Sequence, residues 1–409
     1  MTSSTPNGIE IIREAARQAP PYPKPGDPKE NTGFNSLDMH QILRAQRMPA
    51  VRTKLTMGGK PQAAQLPDGT VVVAGFIEPP IHPTSCITMQ WSTDRGATFS
   101  EPKIFEEMPG RTCGFKCLHD GTLILGHGDA PPWISRSTDG GHSWTSTTIG
   151  NDIIPGKPAG KRPDDGLGIG ESNGVLELPD GTLLQHVFRF HGEYRWSAFL
   201  VRSTDGGNTW GDPTPAATGT DADEIYYERL SSGRLIGIGR CSGAYIHRNH
   251  LEDAVPGGHE APMQGEPGDS PSVFYSDDDG HTWTAPRPTG LGVLMAASYP
   301  LELPDGRVLL IIGHRQLPFG VQAVASRDDG QSWDLDQPLV LAQHSWSFYC
   351  GHPRSCLLDD GSILTGYYTH QDYAPAYPCT VCGSGQAMGS HGGKITGELI
   401  RWWPPSDWP

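Results

Sequence analysis

The chain has 409 residues, 46 acidic against 31 basic side chains, a formal net charge of −15, 52 glycines and 38 prolines. The acidic balance, with no basic patch, excludes the electrostatic footprint of a nucleic-acid binder, and no run of 18 apolar residues exists to form a membrane-spanning helix. Glycine and proline fill roughly a fifth of the chain against roughly an eighth in average proteins, which predicts many short strands joined by turns and excludes a helical bundle or coiled coil.

The first 45 residues read as a short helix from Ile9 to Gln18 followed by a Pro-rich linker. They lack the basic-then-apolar pattern of a secretory signal, so the expectation is a cytoplasmic protein, or a secreted one if a leader has been removed. From residue 46 to 409 the chain reads as one domain.

That domain is a series of hairpins. An apolar run, a turn glycine and a second apolar run recur six times, with the turn glycines at Gly69, Gly121, Gly181, Gly233, Gly306 and Gly361. Asp-Gly between apolar runs is a strong hairpin signal. Five of the hairpins are followed by Ser-x-Asp-x-Gly-x-(Thr/Ser)-(Trp/Phe), anchored at Ser92, Ser137, Ser203, Ser276 and Ser326. In this pattern Ser and Asp cap backbone N–H groups, glycine supplies a positive φ and the aromatic ring anchors the turn in a core. It is a structural plug. The turns are 52, 60, 52, 73 and 55 residues apart, a period that predicts an all-β, six-bladed β-propeller of four-stranded antiparallel blades. The sixth unit has no plug. Its outer strand is either 395–403 or a segment from about residues 40–55 that closes the ring.

The plugs resemble the Asp-box, or BNR, repeats of the sialidase superfamily, and residues 50–403 resemble a sialidase-like propeller. The resemblance implies a glycoside hydrolase site at the inner ends of the blades. Three arginines would grip the substrate carboxylate, a Tyr activated by a Glu would be the nucleophile, and an Asp would be the acid/base. The fourth blade carries the matching pattern, Glu224, Leu230, Gly233 and Arg240. The resemblance makes Glu224 the activating carboxylate and Arg240 an anion-binding arginine; a purely structural ion pair is the alternative.

Elsewhere the pattern departs from the family. Where the family has Arg-Ile-Pro, this chain reads Gly59-Lys60-Pro61. Lys60 then points to the wrong face of a regular strand unless a bulge re-aims it. The family's nucleophilic Tyr sits nine residues before the last turn glycine, and here that position is His352, with Tyr349 three residues upstream. Histidine is a good general base near neutral pH. The stretch that carries the family's acid/base Asp has no Asp, only Glu78 and His82. Arg315, with His314 beside it, is a further candidate anion contact.

Eight cysteines are dispersed along the chain. Cys379-x-x-Cys382 with His391, and His370 or Cys356 nearby, form a possible zinc set. No cofactor is required by the resemblance, and a structural Zn²⁺ or Ca²⁺ stays open. The insertion 241–272, with His247, Arg248 and His250, reads as a lid or a surface loop; His186, Arg189, His191 and Arg195 read as a strand with a decorated loop.

Three functions remain at this stage. The first is a sialidase-like hydrolase acting on an acidic oligosaccharide through a modified site. The second is a polysaccharide lyase that uses His, Tyr and Arg on a uronate-containing glycan. The third is a non-catalytic glycan-binding propeller.

Overall fold

The computed structural model describes residues 46–408 apart from segments 48–50, 56–58, 78–82, 129–131, 151, 154–166, 169–173, 191–195, 218–220, 243–269, 292–294, 315–318, 346–349 and 371–394. The expected N-terminal helix and linker, and most of the 241–272 insertion, lie outside these residues.

Six sheets form the six blades of a propeller. Blade 1 runs outward through Gly59–Gln65, Val71–Ile77, Cys86–Ser92 and Lys103–Pro109. Blade 2 uses Thr112–Cys117, Leu123–His127, Trp133–Ser137 and Thr145–Thr148. In blade 3 the inner position is split between Leu167–Gly168 and Leu176–Glu177, both paired to Leu183–Phe190, followed by Trp196–Ser203 and Gly211–Ala216. Blade 4 comprises Asp221–Arg229, Leu235–Ser242, Ser270–Ser276 and Arg287–Pro288. Blade 5 comprises Met295–Glu302, Val308–His314, Gly320–Ser326 and Leu339–Ala342, with Gln46–Arg47 added in parallel at its outer edge. Blade 6 comprises Gly351–Leu357, Ile363–His370, Ile395–Trp402 and, outermost, Val51–Lys54.

The outer strand of blade 6 is therefore 51–54, from the segment that closes the ring, while 395–402 is the third strand and not the outermost as the other reading had it. This also explains the missing plug. In the other blades the plug joins strand three to strand four, whereas blade 6 takes its fourth strand from the opposite end of the chain. Pairing strands from the two ends of the chain in one blade closes the ring, and each blade keeps only a short outer edge. The C-terminal tail packs against blade 5 instead: Trp408 is buried, its indole donates to the Gln337 carbonyl at 2.7 Å, and Arg307 donates to the Trp408 carbonyl at 2.8 Å.

The plugs are built alike. In each, Ser Oγ donates to the Asp carboxylate and accepts the glycine N–H; at Ser203 the distances are 2.8 Å to Asp205 and 2.8 Å from Gly207 N. The Asp then takes both the backbone and the hydroxyl of the following Thr or Ser, as Asp205 does from Thr209 at 2.9 and 2.7 Å. The apolar cores lie between blades, for example Ile225, Tyr227, Leu235 and Phe274 of blade 4 against Leu176, Leu184 and Leu200 of blade 3. That face-to-face packing holds the inner strands in a ring.

Candidate functional site at the inner ends of the blades

Five inner strands carry a β-bulge near their starts, between Gly59 and Gln62, Thr112 and Gly114, Ala222 and Glu224, Ala296 and Ser298, and Gly351 and Arg354. A bulge turns one side chain off the regular alternation and often sits beside a functional site. In blades 1 and 6 it places a non-glycine residue in the left-handed region: Lys60 at φ 45° and His352 at φ 46°. Both follow a glycine and precede a proline. Such conformations cost energy in a side-chain-bearing residue and cluster at functional sites. The preceding glycine in blade 1 is sterically required, because a Cβ on Gly59 would lie 2.6 Å from the Phe76 ring.

The bulges bring together residues from opposite sides of the ring. Glu224 and Arg240 face each other on the first two strands of blade 4, with Arg240 Nη1 3.0 Å from Glu224 Oε2. The other carboxylate oxygen, Oε1, lies 3.7 Å from His352 Nε2 of blade 6. All three side chains are buried. The His352 ring stacks on Tyr368 at 5.5 Å and 28°, which fixes its plane. Lys60 of blade 1 belongs to the same cluster. Burial pushes its amine down to about 8, against an upward pull from Glu224 and with a further downward push from Arg354. The bulge thus turns Lys60 towards the charges, as the bulged reading of Gly59-Lys60-Pro61 requires.

Two members of the cluster were not singled out from the sequence. Arg354 reaches from blade 6 to blade 1, where its Nη1 meets the Lys60 carbonyl at 3.5 Å, and its guanidinium lies 5.8 Å from the ring centre of Tyr226 in blade 4. Tyr226 is fully buried, and burial raises its hydroxyl above the usual phenol range. A signal for both existed. The residues nine before the turn glycines of blades 1, 2, 4 and 6 are Lys60, Thr112, Glu224 and His352. Seven before the same glycines stand Gln62, Gly114, Tyr226 and Arg354. These two counts down the inner strands select every member of the cluster named so far except Arg240, which stands on the second strand of blade 4.

His314, at the end of the second strand of blade 5, is buried at the seam with blade 6, where its carbonyl is 3.7 Å from Cys350 Sγ. His186 and Arg189, on the second strand of blade 3, are both buried. Tyr349, His82, Glu78, Arg315, Cys379, Cys382 and His391 lie outside the described residues, as do His191, Arg195, His247, Arg248 and His250. Among the described residues no group of three or more His, Cys, Asp or Glu side chains converges as a metal site.

No protein-family model matches the chain. A sialidase from Micromonospora viridifaciens is 27% identical over 217 residues, covering 47% of this chain and 30% of that protein. This chain therefore matches less than a third of that relative's length. Among solved structures, a protein of unknown function from Dyadobacter fermentans aligns with a TM-score of 0.63 at 20% identity, over 87% of this chain and 99% of its own. A Hadza microbial sialidase aligns at 0.52 and 19%, over 83% of this chain and 64% of its own. An alpha-L-arabinanase from Penicillium chrysogenum aligns at 0.56 and 12%, over 87% and 97%. At these identities the structural matches show a shared fold. The plugs, the ring of blades and the partial sequence match make this chain a divergent sialidase-like six-bladed propeller.

Proposed function

We propose that this chain is a glycoside hydrolase of sialidase-like type acting on an anionic sugar through a modified site. The observation that carries the reading is the Glu224 carboxylate held between Arg240 at 3.0 Å and His352 at 3.7 Å. A carboxylate and an imidazole held within 3.7 Å of one another are a proton-handling pair. Arg240 holds the carboxylate in place. His352, protonated, donates to the leaving oxygen as the glycosidic bond breaks, and Glu224 stabilises positive charge growing on the sugar ring. Water then adds at the anomeric carbon and returns its proton to His352. The positive charges of Lys60 and Arg354 beside this pair favour a substrate that carries negative charge. The sialidase relative and the arabinanase fold support a sugar as the substrate class.

The test is mass spectrometry of products from a panel of sialosides and uronate-containing oligosaccharides. A product that has gained one water supports hydrolysis. An unsaturated product with no water gained replaces it with elimination, in which His352 takes the proton next to the carboxylate. No turnover of any panel member, with acid-selective binding retained, leaves a binding propeller.

A further inference from the structure

One level below the Glu224 pair, the positions seven residues before the six turn glycines are Gln62, Gly114, Gly174, Tyr226, Tyr299 and Arg354. Blades 2 and 3 therefore contribute no side chain at this level. Blades 4 and 5 contribute two buried tyrosines, whose rings meet edge to face at 5.8 Å. Blades 6 and 1 contribute Arg354 and Gln62. The Arg354 guanidinium crosses to blade 1 and meets the carbonyl of Lys60, two residues along the strand from Gln62. Gln62 is 2% exposed, yet among the described residues neither Nε2 nor Oε1 has a hydrogen-bond partner. A buried amide left without partners is costly, and each native instance calls for an explanation. Arg240, by contrast, is already engaged with Glu224 at 3.0 Å.

We propose that Arg354 and Gln62 form the receptor for the substrate's carboxylate, and so determine the specificity of the site for sugar acids. The anion is then recognised between blades 6 and 1, below the rim, while Arg240 positions Glu224. The guanidinium offers two parallel N–H groups that match the edge of a planar carboxylate. The Gln62 amide supplies a donor for a carboxylate oxygen and an acceptor for a neighbouring sugar hydroxyl, which completes both of its open valences. A tetrahedral sulfate would turn its remaining oxygens towards the rings of Tyr226 and Tyr299. The inference rests on the anionic-sugar reading above and narrows it to carboxylates.

The experiment is calorimetric binding of N-acetylneuraminate, glucuronate and galacturonate, each beside its neutral counterpart, and of a sugar sulfate. The full chain is compared with Arg354→Gln, Arg354→Lys and Gln62→Leu. The expected result is that the native protein binds at least one sugar acid at least tenfold tighter than its neutral counterpart and tighter than the sulfate. Arg354→Gln then weakens that acid by about 30-fold or more and leaves the neutral sugar unchanged. Gln62→Leu weakens it by several-fold with no loss of thermal stability, since it removes no hydrogen bond made among the described residues. If Arg354→Gln does not fold, Gln62→Leu and Arg354→Lys decide the matter by the same acid-to-neutral ratio. An unchanged ratio in the variants that fold, preference for the sulfate, or no acid binding by the native protein overturns the proposal. Turnover by the native protein, measured in parallel, judges the hydrolase reading separately. A bound acid that is not cleaved removes that reading and leaves the receptor standing.

Discussion

Replacing His186 by Leu should make the protein more stable, and increasingly so as the pH falls. His186 lies on the second strand of blade 3, is 1% exposed, and has no hydrogen-bond partner on either ring nitrogen among the described residues. Its nearest ring neighbour is Tyr227 at 5.9 Å. Burial alone pushes its pKa down to about 3. Leucine has a similar volume and nothing to hydrogen-bond. At pH 7 the substitution removes an unsatisfied buried polar group, a gain of about 1–3 kcal/mol. The pH dependence follows from linkage. The folded pKa lies below the unfolded value of about 6.5, so the unfolded chain takes up the proton first. The native stability from a neutral His186 is complete above about pH 6.5 and is lost as the pH falls towards the folded value. Between pH 7 and pH 5 the loss is about 2 kcal/mol, at about 1.4 kcal/mol per pH unit. The assay is urea unfolding of both proteins at the two pH values. Groups common to both cancel in the difference, including His127, which burial also lowers, to about 4. The stability gap between variant and native protein should widen by about 2 kcal/mol at pH 5. A gap that stays constant, or a variant less stable at pH 7, would mean that His186 is hydrated or paired, and the reasoning fails.

Two further outcomes follow from the site and the plugs. Lys60, with its amine lowered to about 8 mainly by burial, is charged below that pH and neutral above it. Binding of a sugar acid should therefore weaken about tenfold from pH 7 to pH 9. Lys60→Arg, which cannot lose its proton in this range, should bind evenly across it; a native profile that is flat would remove Lys60 from the anion's surroundings. In the second plug, Asp139 accepts Ser137 Oγ at 2.7 Å, His142 N at 3.0 Å, Ser143 N at 2.9 Å and Ser143 Oγ at 2.6 Å. Asp139→Ala should cost about 2–3 kcal/mol, whereas Asp68→Ala, which removes an acceptor for Thr70 N in an exposed hairpin turn, should lower the melting temperature distinctly less. Equal thermal shifts for the two variants would deny the plug its structural role.

The parts of the fold legible in the sequence are those set by local chemistry. A turn glycine needs its positive φ whatever surrounds it, as at Gly69 and Gly121 with φ 87° and 85°. A Ser-x-Asp-x-Gly plug closes its hydrogen bonds within five residues, so each of the five can be read without knowing its neighbours. Ring closure was legible only as a pair of alternatives, because Val51–Lys54 and Ile395–Trp402 pair across nearly the whole chain. Arg354 was missed for a different reason. Its partners, Lys60 and Tyr226, come from two other blades. Nothing within a few residues of it marks the contact.

The inner-strand bulges explain why counting back from a glycine finds the site even where the residue types depart from the family. All five occur between seven and eleven residues before the turn glycine of their blade. The irregularity thus falls at the rim end of each of these strands, and the residue there is aimed by backbone geometry as well as by its own chemistry. Gly59-Lys60-Pro61 and Gly351-His352-Pro353 show the consequence. The same bulged backbone, with φ near 45° in both, presents an amine in one blade and an imidazole in the other. A site built this way can exchange a phenol for an imidazole, or a guanidinium for an amine, without rebuilding the strand. The compensation then falls to side chains long enough to cross between blades. Arg354 does this by bringing a guanidinium from blade 6 to the carbonyl of Lys60 in blade 1. On the proposed function, the fold then sets where charge meets substrate, and the side chains at two levels of the inner strands decide which substrate that is.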